Sequence, residues 1–368
     1  MSRTITAAIV REAGGGFGLE QLELDDPRPG ELLVRLVAAG ICHADLIARD
    51  QLYPVPLPAV LGHEGAGVVE AVGAGVDDFR AGDRVVLGPA SCHRCAKCGQ
   101  GRPAHCDDGF RLNFGAQRAD GSSGYVAVGA RVNGHFFGQS SFATHTLVAA
   151  ADAVQVGGDA PLETLAPLAC GVQTGVGAIV NSLRVPAGSS VAVFGAGAVG
   201  LSAVLGARLV GAARIVAVDT VPARLELAAR LGATATVEAG GGADVIAAVR
   251  EACGGAAEFA IEASGHPGAA RQAVDSLGIG GVAGMIGVTS IESEVTFHQQ
   301  SLVHGLTVKG ILAGDAVPRD FLPRLVELHA RGLLPLEEMI ETFPLAAIEE
   351  AVAASERGEV VKAVLTMP

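Results

Sequence analysis

The stretch VAVFGAGAVGLSAV, Val191–Val204, decides the fold, because an apolar run leads directly into the pattern Gly195-x-Gly197-x-x-Gly200. The run predicts a buried strand, and the residues after the glycines predict a helix. Glycines at this spacing allow a tight turn, close backbone approach to a pyrophosphate, and close packing of helix on strand. The free N–H groups at the start of the helix favour bound phosphate. The segment therefore predicts a dinucleotide-binding strand–turn–helix.

The next apolar run, IVAVD over 215–219, ends in the acidic residue Asp219. A carboxylate at the end of this strand hydrogen-bonds the ribose hydroxyls and repels a 2′-phosphate, which favours NAD over NADP. The competing interpretation is a glycine-rich packing turn followed by a surface carboxylate, since the chain holds 51 glycines. The strand–turn–helix context favours the nucleotide site, and NAD is the predicted cofactor.

Short apolar runs alternate with helical segments around this motif. The runs cover residues 191–194, 215–218, 259–261 and 282–286. Glycine often ends a helix, as Gly232 is expected to do after the helical pattern of Ala223–Leu231. Strand, helix, strand at this spacing predicts an α/β domain, a doubly wound parallel sheet covered on both faces.

The residues before the nucleotide motif have a different pattern. ELLVRLVAAG (31–40) and GAGVVEAVG (65–73) are apolar, rich in Val and Gly, and bounded by turn residues, which is typical of short strands in a β domain. The tail from about Ala313 is mixed, with a helical pattern near Phe321–Arg331 and a strand-like VVKAVLTM. We expect an antiparallel β domain resembling a partly open barrel over 1–171 and 313–368, with the NAD-binding domain inserted over 172–312.

Composition excludes several classes of protein. Hydrophobic residues make up 49% and charged residues 18% of the chain, which indicates a well-packed globular protein. The net charge of −13 argues against nucleic acid or an anionic membrane as partner. Neither the start of the chain nor the glycine-interrupted stretch 185–207 resembles a signal peptide or a membrane helix. We expect a cytoplasmic protein, in which closely spaced cysteines indicate metal before disulfide.

Four cysteines follow the pattern Cys92-x-x-Cys95-x-x-Cys98-x7-Cys106, in a lobe of about residues 89–107. Four thiolates can close a tetrahedral zinc shell that leaves no position for water. An iron–sulfur cluster is the chemical alternative, but the long last spacing and the absence of a following proline favour zinc. The pattern predicts a structural zinc.

Three further segments carry candidate ligands: GICHAD with Cys42, LGHEGAG with His63, and LACGVQTG with Cys170. Two cysteines and one histidine, with a fourth position open, are a ligand set of catalytic zinc, which lowers the pKa of a bound alcohol. Taken singly, a buried cysteine is usually a small hydrophobic residue, which is how we interpret Cys253. Together with the cysteine lobe and the nucleotide motif, the three residues predict a catalytic zinc site.

The segment GHEGAGVVEAVGAGV, followed by GDRV, resembles the signature of zinc-containing medium-chain alcohol dehydrogenases, and the four-cysteine spacing is similar to their structural zinc lobe. CHADLIARDQLYPVPLPAVLGHEGAGVV and FFGQSSFATH are most similar to the aryl (benzyl) alcohol dehydrogenases of that family. The resemblance runs nearly end to end. It implies a GroES-like β-barrel domain with an inserted Rossmann domain.

The resemblance also implies roles for individual residues. Cys42, His63 and Cys170 would be zinc ligands, Glu64 an acidic residue able to enter the zinc shell transiently, and Asp45 the carboxylate that orients His63. The implied cofactor contacts are His43 and Lys362 at the pyrophosphate, Thr174 and Val199 at the nicotinamide, and Arg224 near the adenosine ribose.

The sequence departs from the family at the position that usually accepts the substrate proton. Two residues after the first zinc cysteine the family has Ser or Thr, and this chain has Ala44. Ile47 stands where some members have a relay histidine. We expect water, linked to the cofactor ribose or to His43, to carry the proton.

With no Trp and two Tyr, an aromatic pocket would depend on phenylalanines, for which Phe110, Phe114, Phe136 and Phe137 are the candidates. They favour a primary aryl, benzyl-type or allylic alcohol. The alternatives are a formaldehyde–thiol adduct dehydrogenase, a zinc-free reductase, and a catalytically impaired NAD-binding protein. The resemblance further implies a homo-oligomer, with a tetramer favoured over a dimer.

Overall fold

The computed structural model describes residues 2–127, 130–242 and 244–368. The chain divides into two compact units, one formed by Met1–Cys170 with Val317–Pro368 and the other by Gly171–Ala316. The strands, in chain order, are β1 Arg3–Val10, β2 Gly18–Leu24, β3 Glu31–Gly40, β4 Ala59–Val60, β5 Glu64–Val72, β6 Arg84–Leu87, β7 Tyr125–Ala127, β8 Ala130–Val132, β9 His145–Ala149, β10 Ala153–Gln155, β11 Ser190–Phe194, β12 Arg214–Asp219, β13 Ala235–Glu238, β14 Ala257–Glu262, β15 Leu277–Met285, β16 Thr307–Gly310, β17 Ile340–Pro344 and β18 Lys362–Thr366.

Most of the helices are short, and the longer ones lie in the second half of the chain. They are α1 His43–Arg49, α2 Ala96–Gly99, α3 Gly109–Phe114, α4 Leu162–Leu165, α5 Gly171–Gly177, α6 Ala198–Leu209, α7 Pro222–Leu231, α8 Val245–Cys253, α9 Pro267–Asp275, α10 Gln299–Val303, α11 Pro318–Ala330 and α12 Ile348–Glu356. Among the described residues, no helix is both long enough and apolar enough to cross a lipid bilayer.

The first unit is built from two sheets. One has the strand order β4-β1-β2-β7-β8, and every pairing in it is antiparallel. The other has the order β10-β6-β5-β3-β18-β17, with β9 also paired to β3, and only β17 and β18 run parallel. The alternating side chains of these strands supply two apolar clusters, one around Phe142 and Tyr125 and one around Leu36 and Val85. The sheets therefore form a packed scaffold for the loops between them.

The second unit contains one sheet with the order β13-β12-β11-β14-β15-β16, and all of its pairings are parallel. All five residues of β11 are buried, as expected for a strand covered by helices on both faces. The strand order reverses direction at β11, and ligands of such sheets bind beyond the carboxyl ends of the strands at this point. The predicted fold class, a doubly wound parallel domain inserted in an antiparallel β domain, is confirmed.

Two element boundaries differ from the sequence prediction for identifiable reasons. Strand β15 begins at Leu277, five positions before the predicted start at 282, because Gly278, Gly280 and Gly281 continue the strand without an apolar signal. Helix α11 begins at Pro318, since proline is suited to the first turn of a helix, where its missing N–H is not needed.

Candidate active site

The register of the second sheet of the first unit brings distant ligand segments together. Strands β3 and β5 are antiparallel with Gly40 opposite Glu64, so the residues just after β3 lie beside those just before β5. Gly40 is also opposite Val364 of β18, which places Lys362 at the same end of the sheet. Cys42, His63 and Lys362 thus meet because of strand pairing.

The side chains of Cys42, His63, Glu64 and Cys170 converge, with one ligand atom of each lying within 4.8 Å of all the others. The Nε2 atom of His63 is buried and has no hydrogen-bond partner among the residues the structure describes. A buried polar atom without a partner is costly unless something else binds it. Two sulfurs, one imidazole nitrogen and a carboxylate form a donor set that suits zinc.

The carboxylate of Asp45 accepts hydrogen bonds from both of the segments that carry Cys42 and His63. Its Oδ1 accepts hydrogen bonds from His63 Nδ1 at 2.8 Å and from the backbone N–H of Gly62 at 3.1 Å. Its Oδ2 accepts the backbone N–H of Cys42 at 2.9 Å. A single buried carboxylate therefore connects the two ligand segments. Because Asp45 accepts a hydrogen bond from the Nδ1–H group, the proton stays on Nδ1 and the lone pair of Nε2 is directed at the cluster.

Glu64 and Lys362 form a buried ion pair. Lys362 Nζ lies 3.0 Å from both carboxylate oxygens of Glu64 and donates to the carbonyl of Ile41 at 2.9 Å. Burial raises the pKa of Glu64 to about 7, although the ammonium opposes this shift. Burial disfavours the charge on Lys362, but Glu64 and Cys42 outweigh it and raise its pKa. The sequence did not indicate this pair, and the contact of Lys362 with a pyrophosphate stays a prediction.

The two candidate ligand cysteines, Cys42 and Cys170, differ in acidity. A hydrogen bond from the Cys170 thiol is the main reason why the pKa of Cys42 lies well below its usual value. The same bond, with burial, raises the pKa of Cys170. Asp45, His63, Glu64 and Lys362 are buried beside these thiols. Buried ionisable groups are usually paired with one another or coordinate a metal ion.

The four-cysteine lobe forms a second cluster of the same compactness, since the sulfurs of Cys92, Cys95, Cys98 and Cys106 all lie within 4.8 Å of one another. Sulfurs around one tetrahedral zinc stand about 3.8 Å apart, given Zn–S bonds of about 2.3 Å. Backbone N–H groups donate to these sulfurs, from Cys92 to Cys106 at 3.2 Å and from Cys95 to Cys92 at 3.3 Å. Backbone hydrogen bonds also lower the pKa of Cys95 to about 6, which favours its thiolate. The arrangement fits one metal ion whose coordination shell is filled by the four sulfurs.

The predicted dinucleotide turn has the geometry its glycines were expected to allow. Gly195 has a φ of 94°, and an added Cβ would lie 2.8 Å from the backbone nitrogen of Ser264. A Cβ on Gly200 would lie 1.7 Å from the carbonyl oxygen of Gly195, so helix α6 can pack this closely only with glycine there. Gly197 precedes α6, and its Cβ position has no neighbour within 4 Å among the described residues. The turn is therefore open on the side where α6 begins.

A cavity of about 600 Å³ lies beyond the carboxyl ends of β11, β12 and β14 in the second unit, and Gly195, Gly197, Asp219 and Arg224 line it. Asp219 is almost fully buried; its oxygens accept the backbone N–H groups of Ala196 at 2.6 Å and Val221 at 2.9 Å. Each carboxylate oxygen retains a free lone pair for a ribose hydroxyl. The buried Nε of Arg224 has no hydrogen-bond partner in the part of the chain that the structure describes.

Comparisons with known proteins agree with these features. A family model described as "Alcohol dehydrogenase GroES-like domain" matches residues 28–158, and one described as "Zinc-binding dehydrogenase" matches residues 198–331. The chain is 43% identical to geraniol dehydrogenase of Castellaniella defragrans over 361 residues, which cover 98% of this chain and 96% of that protein. The chain belongs to the zinc-type alcohol dehydrogenase family.

Two solved members of the family have nearly the same structure along the whole chain. An alcohol dehydrogenase zinc-binding domain protein from Burkholderia ambifaria matches with a TM-score of 0.97 and 48% identity. The benzyl alcohol dehydrogenase of Acinetobacter calcoaceticus matches with a TM-score of 0.96 and 41% identity. In both cases the match covers 100% of each chain. This alcohol dehydrogenase therefore shares both domains with them.

An aromatic cluster lies against the imidazole of His63 in this alcohol dehydrogenase. Centroid distances between neighbouring rings run from 4.4 Å to 5.3 Å along the chain of contacts from Tyr53 to His63. Phe137 stacks on the imidazole of His63, and it adopts a φ of 52°, which is uncommon for a bulky side chain. The members of the aromatic cluster are Tyr53, Phe110, Phe114, Phe136 and Phe137, of which Phe110 is exposed and Phe136 is buried.

The remaining candidates are distributed over both units. In the first, His43 is exposed at the start of α1, Ala44 follows it, and Ile47 is buried in the same helix. In the second, Thr174 is buried in α5, and Val199 lies in the first turn of α6. These positions leave the predicted cofactor contacts of His43, Thr174 and Val199 as predictions.

Proposed function

We propose that this dehydrogenase oxidises a primary aryl, benzyl-type or allylic alcohol to the aldehyde, reversibly, with a catalytic zinc and NAD. The observation that carries the proposal is the buried Nε2 of His63, which has no hydrogen-bond partner among the described residues and lies beside two thiols and the ring of Phe137. In the reaction the carbinol C–H leaves as hydride to the nicotinamide and the hydroxyl proton is released. The products are aldehyde, NADH and one proton.

Cys42, His63 and Cys170 would hold the catalytic zinc, with Glu64 within reach of the same position. Zinc bound there supplies Lewis acidity that makes an alcohol hydroxyl more acidic at neutral pH. The role of Asp45 is to keep the proton on Nδ1 of His63, which fixes the ring orientation and tautomer. Lys362 pairs with the carboxylate of Glu64 through two hydrogen bonds and so fixes its position beside the ligand sulfurs.

The four cysteines of the lobe would hold a second, structural zinc, because their sulfurs already converge and, in the described part of the chain, no His, Asp or Glu joins them in the cluster. A closed shell of four thiolates stabilises a loop and leaves no position for a substrate. Such a shell requires reduced cysteines, which is the reason for proposing a cytoplasmic location. The expected content is two zinc ions per chain.

NAD is the proposed cofactor because Asp219 places a buried carboxylate in the cavity beyond β12. A carboxylate at that position binds ribose hydroxyls and repels a 2′-phosphate. Gly195, Gly197 and Gly200 leave the backbone approachable at the start of α6, where a pyrophosphate would be bound by free N–H groups. A homotetramer is the proposed assembly, to be measured by analytical ultracentrifugation.

The substrate class rests on the aromatic cluster. Flat π faces beside the metal ligands suit a planar unsaturated group next to the carbinol carbon, since aromatic contacts add about 0.5–1.5 kcal/mol to apolar burial. Two of the related proteins are named for a benzyl and an allylic alcohol, in agreement with this choice.

A spectrophotometric screen tests the proposal. Purified enzyme is assayed with benzyl alcohol, geraniol, saturated primary alcohols and a formaldehyde–thiol adduct, each with NAD and with NADP, and its zinc content is measured. We expect the highest kcat/KM for the unsaturated alcohols with NAD, and two zinc ions per chain. A preference for the thiol adduct, or activity in a preparation without zinc, would contradict it.

A further inference from the structure

Gln139 is a fully buried amide whose side chain is bound to the backbone on both sides of Glu64. Its Oε1 accepts the N–H of Gly65 at 3.0 Å, and its Nε2 donates to the carbonyl of His63 at 2.9 Å. The same Nε2 donates to the carbonyl of Leu87 in β6 at 3.0 Å. The amide thus ties the metal-ligand segment to the neighbouring strand.

The sheet does not make this connection by itself. The backbone pairing of β5 with β6 covers Ala66 opposite Val86, Gly67 opposite Val85 and Val68 opposite Arg84. Residues 63–65, which carry the two ligands, lie beyond the end of that pairing. The side chain of Gln139 connects these residues to β6. Its hydrogen bonds to His63, Gly65 and Leu87 take the place of the backbone hydrogen bonds that a longer β5–β6 pairing would make.

The loop that carries Gln139 packs tightly on the ligand segment. The N–H of Ser141 donates to the carbonyl of Gly62 at 2.9 Å, and the N–H of Phe142 donates to the carbonyl of Leu61 at 3.0 Å. A Cβ on Gly65 would lie 2.8 Å from Gln139 Oε1. A shift of the ligand segment would therefore break these contacts or the hydrogen bonds of the Gln139 amide.

We propose that Gln139 is a positioning residue of the catalytic metal site. Asp45 orients the ring of His63 through Nδ1, and Gln139 fixes the backbone from which His63 and Glu64 project. A metal ligand held at both ring and backbone loses little freedom on binding the ion, so the ion is released slowly. The inference rests on the proposed catalytic zinc and adds the residue that keeps its ligands in place.

The test compares two variants of Gln139. Gln139→Met preserves the length of the side chain and removes every hydrogen bond of its amide. Gln139→Glu retains an acceptor for the N–H of Gly65 and loses the two N–H donors. Gln51→Met is the matched control, because Gln51 Nε2 donates to the carbonyls of Ala48 at 2.9 Å and Val55 at 3.1 Å, away from the ligands. Zinc release to a chromogenic chelator is followed in time for each holoenzyme, together with kcat, KM and thermal unfolding.

We expect one zinc per chain to leave Gln139→Met roughly 10- to 100-fold faster than it leaves wild type, with a fall in kcat of similar size. The second zinc should leave at the wild-type rate, Gln139→Glu should be intermediate, and Gln51→Met should match wild type. If Gln139→Met does not fold, Gln139→Glu carries the comparison.

Two results would overturn the inference. One is wild-type release of both zinc ions with wild-type kcat. The other is equal acceleration of both zinc ions together with a lower unfolding temperature, which would indicate general destabilisation. Wild-type enzyme without zinc would instead contradict the proposed function, so the two failures are distinguishable.

Discussion

The ring of Phe137 stacks on the imidazole of His63, with centroids 4.4 Å apart and planes 25° apart. A π surface is thereby fixed directly beside a predicted metal ligand. The local backbone holds it there, since Phe137 has a left-handed conformation that bulky residues seldom adopt. A substitution of Phe137 can therefore change the choice of substrate or the geometry around His63, and the kinetics with two different alcohols distinguish these effects.

We expect Phe137→Leu to lower kcat/KM for benzyl alcohol by about 2- to 10-fold relative to a saturated alcohol of similar size, because an aromatic pair contributes about 0.5–1.5 kcal/mol beyond apolar burial. The measurement is the ratio of kcat/KM values for the two alcohols. Phe79→Leu is the matched control, since Phe79 lies in the other apolar cluster of the first unit. An equal loss with both alcohols would show that Phe137 serves the metal site and not the choice of substrate.

Cysteine replacements should separate the two proposed zinc sites. Cys42→Ala should lose one zinc per chain and nearly all activity, because it removes a sulfur from the catalytic set. Cys95→Ala should lose the other zinc and lower the unfolding temperature. Cys253→Ala, which alters a buried cysteine outside both clusters, should keep both ions. Elemental analysis and thermal unfolding give the answer, and retention of both ions by Cys42→Ala would count against the catalytic assignment.

Charge removal at Asp219 should change the cofactor preference. Asp219→Asn keeps an oxygen to accept the N–H of Ala196 but loses the negative charge. A hydrogen bond to a charged group contributes about 1.5–3 kcal/mol, so KM for NAD should rise roughly 10- to 100-fold. KM for NADP should fall, because the 2′-phosphate is no longer repelled. Unchanged KM values for both cofactors would exclude a ribose contact.

Ala44→Thr should increase the rate of alcohol oxidation at neutral pH, by up to about 100-fold if proton release limits the reaction. The hydroxyl would supply the proton carrier that the family usually has at this position and that Ala44 does not provide. Ala44→Val is the matched control, because valine has the shape of threonine without the hydroxyl. Steady-state kcat values at neutral pH decide the matter, and equal rates for the two variants would eliminate the hydroxyl as the cause.

His135 should make the fold sensitive to acid. Burial, followed by the charge of Arg118, lowers the pKa of His135 to about 4, although Glu31 opposes the shift. Since unfolded histidine titrates near 6.5, its contribution is complete above that pH and is lost as the pH falls towards 4. The slope is at most about 1.4 kcal/mol per pH unit.

The measurement is the difference in unfolding free energy between wild type and His135→Asn at about pH 7 and about pH 5. Asparagine tolerates the left-handed backbone at this position, where φ is 65°. Wild type should lose more stability than the variant on acidification. An equal loss would assign the acid sensitivity to other groups, including the cysteine ligands.

Much of the fold could be predicted because its signals are local. The strand–turn–helix at Val191–Val204 and the strands β3 and β5 follow from runs of apolar residues bounded by turn residues. Helix α1 was not predicted, since His43–Arg49 is only two turns long and too short for a periodic pattern. The segments that carry the candidate ligands Cys42, His63 and Cys170 could likewise be identified from the sequence.

The contacts of Lys362 with Glu64 and of Gln139 with His63 were not predictable in the same way. Lys362 meets Glu64 because β18 pairs with β3, a contact between residues 298 positions apart. Gln139 lies in the segment FFGQSSFATH (136–145), but no sequence pattern indicates that its side chain is buried. A polar residue in a loop is usually exposed, so only its contacts identify its role.

The sequence by itself determined the chemistry that the chain offers: a glycine turn for phosphates, an acidic residue for ribose, and cysteines and histidine of the type that zinc prefers. Short spacing suffices for the glycine turn and the four-cysteine lobe, because each depends on groups that are neighbours along the backbone, whereas residue type alone marked the dispersed ligands Cys42, His63 and Cys170. Tertiary structure decided which groups act together, through the register of β3, β5 and β18 and the close packing of the loop at Gln139–Phe142 on the ligand segment. Such contacts join residues far apart in the chain, and only the folded arrangement of strands sets their distances.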